Sequence, residues 1–168
     1  MPVIFLDIDG VLNTRGDMSV KIDKCHLVHL KTIVDATGAA IVLSTSWRKF
    51  WRKSGSIDSA GQAIDEALAE IGLSVWDKIP VIPNASRSQE IEAWLLGKYI
   101  EGFAILDDVD MGWSDKLYSH WIKCGGLTED LAKQAIEVLN GNLLPPREAF
   151  PIEQKKHRSL LDRFLNRK

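Results

Sequence analysis

The chain has 168 residues, 45% of them apolar and 26% charged, with a formal net charge of −2. That is enough chain for one globular domain with a real core, short for two, and too apolar for a largely disordered chain. The near-neutral balance argues neither for nor against a polyanionic partner, and no apolar run reaches the length of a membrane span, so no membrane partner is expected.

In chain order, Val3–Leu6 reads as a buried strand, yet it runs straight into Asp7, Asp9 and Gly10. Acids are depleted in strands and costly in a core unless paired or metal-bound. Lys24–Thr37 reads as a helix with Leu27, Leu30, Ile33 and Val34 on one face and Gly38 as its stop. Ala39–Leu43 is a second buried strand, ending in Ser44-Thr45-Ser46, and Ala60–Ile71 is a helix closed by Gly72. A short strand is expected at Pro80–Ile82. Ser86 and Gln89 have the spacing of a capping box and open a helix running through Leu96. Phe103–Leu106 is another apolar run ending in acids, Asp107 and Asp108. Leu117–Ile122 reads as a fifth strand, and Thr128 caps a helix that runs to Asn140 and stops at Gly141.

From Pro145 onward the composition changes. Residues 145–168 hold seven Lys/Arg against three acids, a net +4, which leaves −6 on residues 1–144. Pro145, Pro146 and Pro151 punctuate the entry to this segment. The expected organisation is a catalytic domain over 1–144 and a basic C-terminal extension over 145–168. Leu160, Leu161, Phe164 and Leu165 would give the extension a short amphipathic helix that docks on its own domain by default, with a second subunit or a polyanion as the alternatives. Cys25 and Cys124 lie far apart, without zinc-site spacing, and read as free thiols in a reducing compartment. The N-terminus lacks the basic segment of a signal peptide, and Asp7 breaks its apolar run, so a cytoplasmic location is expected.

Strands that are unbroken apolar runs, alternating with helices, specify an α/β fold: a three-layer, doubly wound parallel sheet. Such sheets bind ligands outside the carboxyl ends of their strands. Three of those ends carry polar groups here: Asp7/Asp9, Ser44/Thr45 and Asp107/Asp108. Two acid pairs brought together cannot all stay ionised without a counter-charge. A hard divalent cation with oxygen ligands is the natural solution, and Mg²⁺ suits one or two carboxylates plus a substrate phosphate.

This set resembles the haloacid dehalogenase-like (HAD) superfamily, composed mostly of phosphatases. Asp7-Ile8-Asp9-Gly10-Val11-Leu12 matches its first motif, a Ser/Thr after the second strand its second, a base at a helix start its third, and Asp107-Asp108 its fourth. Order and intervening elements agree over roughly residues 1–140. Ser44-Thr45-Ser46-Trp47-Arg48, Arg87 with Glu90-Ile91 and Ala93-Trp94-Leu95, Leu106-Asp107-Asp108 and Gly126-Leu127-Thr128 look closest to the small HAD domains of "Swiss army knife" RNA-repair proteins. The third motif is usually lysine and here is Arg87, which keeps the charge and adds a planar fork. The second motif fits either Ser44 or Thr45.

The resemblance implies a Mg²⁺-dependent phosphomonoesterase. Asp7 would attack phosphorus, and Asp9 would serve as acid and then base. Asp7, the Asp9 backbone carbonyl and Asp108 would hold Mg²⁺, with Asp107 beside them orienting water or Arg87. Ser44 or Thr45, together with Arg87, would bind phosphoryl oxygens. An acid at position 9, where the related pump ATPases carry threonine, favours hydrolysis over a lasting acyl-phosphate.

Blander readings stand beside these. Asp7/Asp9 could be a turn rich in Asp and Gly, Arg87 an exposed helix-start residue, and Ser44/Thr45 simple caps. His26 and His29 read as a helix face, His120 as packing and Asp110 as a loop acid. Residues 47–53, WRKFWRK, interleave aromatics with bases as single-strand binders do. The simpler expectation is a helix with Trp47, Phe50 and Trp51 on the sheet and Arg48, Lys49, Arg52 and Lys53 in water.

The gaps after motif one and between motifs two and three leave no room for a large cap, so the site should admit bulky phosphates. Three functions remain open: a phosphatase for nucleotides or phosphorylated nucleic-acid ends, a small-metabolite (sugar phosphate) phosphatase, and a binding module without turnover.

Overall fold

The structure is a computed structural model that describes residues 1–13 and 21–147. Residues 14–20, and the basic helix expected within 145–168, lie outside the described residues.

Five strands form one sheet: β1 (Val3–Leu6), β2 (Ala40–Leu43), β3 (Val75–Lys78), β4 (Phe103–Asp107) and β5 (Trp121–Lys123). All pairings are parallel, in the order β3-β2-β1-β4-β5. Alternation along the central strands divides the core in two. Ile4, Leu6, Ile41, Leu43, Ala104 and Leu106 face α1 (Lys24–Thr37), α2 (Ser59–Glu70) and α5 (Glu129–Leu139). Val3, Phe5, Val42 and Ile105 face α3 (Arg87–Leu95) and α4 (Asp115–Tyr118). This is the expected three-layer α/β arrangement. Among the described residues, no folded cap rises over the sheet.

Local chemistry accounts for the helix ends. The Gly38 N–H closes α1 on the Val34 carbonyl with φ 65°, a left-handed cap that suits glycine. Ser86 and Gln89 form the expected capping box: the Gln89 amide donates to Ser86 Oγ and the Ser86 amide to Gln89 Oε1.

Three sequence expectations need correction. No strand forms at Pro80–Ile82. The edge strand lies earlier, at Val75–Lys78, and the Ile79 amide makes the last bond to the Leu43 carbonyl before Pro80, which has no N–H to continue the ladder. Leu117–Ile122 is not one strand either. Its first part belongs to α4, and β5 starts at Trp121. Finally, residues 47–53 are not an amphipathic helix. A 3-10 turn spans Ser46–Lys49, Arg48 and Trp51 are buried, and Phe50 is exposed.

Strand register positions the site. Leu6 stands level with Leu43 on β2 and with Leu106 on β4, so Asp7, Ser44 and Asp107 sit at one height at the carboxyl ends of three adjacent strands. The chain runs outward from β1 through β2 to β3, then returns to place β4 on the other side of β1. The crevice at this switch point opens between Asp7 and Asp107.

Candidate active site

Asp7 is the first residue past β1, and its amide still bonds the Leu106 carbonyl at 3.0 Å. Its side chain is buried and accepts hydrogen bonds from the Thr45 hydroxyl and the Ile8 amide. Burial pushes its carboxyl up to about 6, against the pull of Arg87 and those two hydrogen bonds; Asp9 adds a smaller push upward. Asp107, fully buried as the last residue of β4, goes up to about 7, again by burial first and then by the charge of Asp7, while the Val109 amide and Arg87 oppose the shift. Half-buried Asp108 follows.

Side-chain oxygens of Asp7, Asp107 and Asp108 lie within 4.8 Å of one another. Asp108 packs directly on the turn after β1. A methyl group at Gly10, where φ is 75°, would come within 2.3 Å of its carboxylate, so both the backbone and the close approach require glycine.

Arg87 opens α3 with its guanidinium turned into the crevice. Its Nη1 is buried and faces Asp107 Oδ2 at 3.9 Å, beyond hydrogen-bond distance, and neither atom has a hydrogen-bond partner in the protein. Its Nε lies 3.9 Å from Glu90. Ser44 and Thr45 differ in role although both are buried. Ser44 Oγ makes no hydrogen bond within the protein, while Thr45 Oγ1 accepts from the Trp47 amide at 3.3 Å and its hydroxyl reaches Asp7.

The Asp9 carboxylate stands outside the acidic trio. Trp47 Nε1 donates to its Oδ2 at 3.0 Å and Asn13 Nδ2 to its Oδ1 at 3.1 Å. The Asn13 side-chain Oδ1 accepts from the Gly10 amide at 3.0 Å, closing the turn. Neither Trp47 nor Asn13 stood out in the sequence as a partner of Asp9. The only hint for Asn13 is that Asx residues close turns through their side chains.

The other candidates do not join the site. His26 Nδ1 pairs with the Leu127 carbonyl, and His120 stacks on Phe103 and pairs with its carbonyl. Asp110 caps its own loop and bonds Arg147 at 2.8 Å. The Cys124 thiol is pushed up to about 12 by burial, which keeps it unreactive. Arg48, expected in water, is buried against Glu90.

A set of three carboxylates supplies only hard oxygen donors, and Asp107 has an oxygen, Oδ2, buried without a hydrogen bond. Such a set fits a hard divalent cation better than a transition metal that prefers nitrogen or sulfur. The buried Arg87 Nη1 and Ser44 Oγ are donors suited to an anion beside it.

A family model described as the HAD domain in Swiss Army Knife RNA repair proteins matches residues 3–132. No curated protein and no solved structure matches the chain.

Proposed function

Because the chain belongs to the family of HAD domains in Swiss Army Knife RNA repair proteins, we propose that it is a phosphomonoester hydrolase that works through an aspartyl-phosphate on Asp7. The observation that carries this reading is the division of labour among the acids. Asp7, Asp107 and Asp108 converge, while Asp9 is held apart by two hydrogen bonds.

An Asp7 oxygen attacks phosphorus, and the bond from phosphorus to the leaving oxygen breaks. That oxygen takes a proton from Asp9. Asp9 then accepts a proton from water as the water attacks the phosphorus of the acyl-phosphate, releasing orthophosphate and restoring Asp7. Thr45, Ser44 and Arg87 bind the phosphoryl oxygens. Asp7, Asp108 and the Asp9 backbone carbonyl would hold Mg²⁺, with Asp107 beside them. When bound, that ion would offset phosphoryl charge and the mutual repulsion of the acids.

The proposed substrate class is a nucleotide or a phosphorylated nucleic-acid end. The lack of a folded cap among the described residues supports it, as do the exposed Lys49, Phe50, Arg52 and Lys53 that follow the second motif. The test is a screen of p-nitrophenyl phosphate, nucleotides, sugar phosphates and 3′- or 5′-phosphorylated oligonucleotides, with Mg²⁺ and with EDTA. Turnover of sugar phosphates alone would move the assignment to a small-metabolite phosphatase. Binding without turnover would make the protein a recognition module.

A further inference from the structure

The two side chains that grip Asp9 have in common that each can only donate at the atom it offers. An indole N–H has no acceptor capacity, and neither does the amide nitrogen of asparagine. Trp47 Nε1 holds Oδ2 and Asn13 Nδ2 holds Oδ1, so each Asp9 oxygen is fixed by a group that cannot accept its proton. Both partners are themselves anchored. The Trp47 backbone amide donates to Thr45 Oγ1, its ring packs against the core on the α1/α2/α5 face of the sheet, and the Asn13 side-chain Oδ1 accepts from the Gly10 amide. A lysine or arginine in either place would bind the carboxylate as an ion pair, and a histidine could take up its proton. These two neutral donors leave a proton on Asp9 with nowhere to go but a third molecule.

We propose that Trp47 and Asn13 are positioning residues that hold the Asp9 carboxylate outside the acidic trio and aim its proton at the oxygen leaving phosphorus. The inference rests on the phosphoryl-transfer reading above and adds to it what makes the acid effective. The step balances: as the Asp7 oxygen bonds phosphorus, the P–O bond to the leaving group breaks, its electron pair stays on the leaving oxygen, and that oxygen forms an O–H bond with the proton released from Asp9.

A positioned acid matters in proportion to the basicity of the leaving group. An aliphatic alkoxide cannot depart without a proton, whereas p-nitrophenolate can. The quantity to compare is kcat/KM, which covers steps only through departure of the leaving group and is blind to the later hydrolysis of the acyl-phosphate. Trp47→Phe keeps an aromatic ring and removes the donor. It should lower kcat/KM for an aliphatic phosphate monoester about 10-fold or more, within the range of general acid catalysis, while changing that for p-nitrophenyl phosphate less than about 3-fold. Asn13→Ala tests the other oxygen in the same way should Trp47→Phe fold poorly. Mg²⁺ affinity by calorimetry, without substrate, should be unchanged in Trp47→Phe, because the Asp9 side chain is not among the converging carboxylates and the Asn13–Gly10 bond that closes the turn is kept; Asn13→Ala, which removes that bond, is read on the two esters alone.

Equal losses on the two esters, no loss on either, a clear drop in Mg²⁺ affinity in Trp47→Phe, or an unaltered protein that cleaves only the aryl ester would each overturn the proposal while leaving phosphatase activity standing. An unaltered protein that turns over neither ester overturns the phosphatase reading, and this proposal with it.

Discussion

Arg48 and Glu90 form a buried ion pair between the 3-10 turn after β2 and the first turns of α3, with Nη2 to Oε2 at 2.6 Å. Arg48 also donates to the Thr45 carbonyl at 2.7 Å, and Glu90 accepts from the Ile82 amide at 3.0 Å. The pair therefore ties the segment bearing Thr45 to the helix bearing Arg87. An arginine committed in this way cannot also line a channel for a polyanion.

Breaking a buried pair by removing one partner strands the other charge, at a cost of about 3–5 kcal/mol. Arg48→Met and Glu90→Leu should each lower stability by about that much in denaturant unfolding. The double variant should be less destabilised than the sum of the two. Full additivity would show that the pair makes no joint contribution.

This pair also marks the limit of what the sequence reveals. The central strands were legible because Val3–Leu6, Ala40–Leu43 and Phe103–Leu106 are apolar on both faces, and α1 and α5 because their apolar spacing and caps are local features. Edge strand β3 was misplaced because Val75–Lys78 holds only two apolar residues followed by two charged ones, and none of the four is fully buried. The burial of Arg48 depends on a glutamate 42 residues away, and the grip on Asp9 on a tryptophan 38 residues away. No local period encodes either contact. The acids of the site were legible because carboxylates at the ends of apolar strands violate strand chemistry, while the partners that orient them are ordinary residues.

Without a divalent ion, stability should fall as pH rises. Asp7 and Asp107 are raised to about 6 and about 7 in the folded state, above the 3.8 of an unperturbed aspartate. Between those values the native state holds more protons than the unfolded one, so unfolding free energy declines as pH increases. The stability is fully present below about pH 4 as far as these two groups are concerned, and it is lost through pH 6–7. Tm of EDTA-treated protein should therefore drop from pH 5 to pH 8, and saturating Mg²⁺ should flatten that drop. A Tm that rises over the same interval in EDTA would contradict this electrostatic picture.

Asp108→Ala should weaken Mg²⁺ binding more than Asp107→Ala. Asp107 Oδ1 is engaged by the Val109 amide at 3.0 Å and its Oδ2 faces Arg87, so this carboxylate acts largely by orienting its neighbours. Asp108 lies against Gly10 at the mouth of the crevice. Mg²⁺ titrations of activity on both variants decide the order. A larger shift for Asp107→Ala would exchange the two roles.

If the substrate is a phosphorylated oligonucleotide, KM should rise steeply with KCl, since each phosphate neutralised on a single strand contributes about −0.7 to the log–log slope. The exposed Arg52 and Lys53, unlike buried Arg48, are the groups to remove. Arg52→Ala combined with Lys53→Ala should flatten the slope, and a sugar phosphate should show a shallow slope in either protein. A slope that the double variant leaves intact would take this surface out of substrate binding.

The aspartyl-phosphate is most directly tested by acid-quenching the protein during turnover of a phosphate monoester with Mg²⁺ and weighing its peptides. The peptide containing Asp7 should carry one added phosphoryl group in the wild-type protein. Asp7→Asn should keep the fold, carry no such adduct and lose turnover by at least about 10³-fold, as removal of a nucleophile does. An Asp7→Asn variant that retains most of its activity, or a phosphoryl group found on another residue, would contradict the assignment of Asp7 as nucleophile.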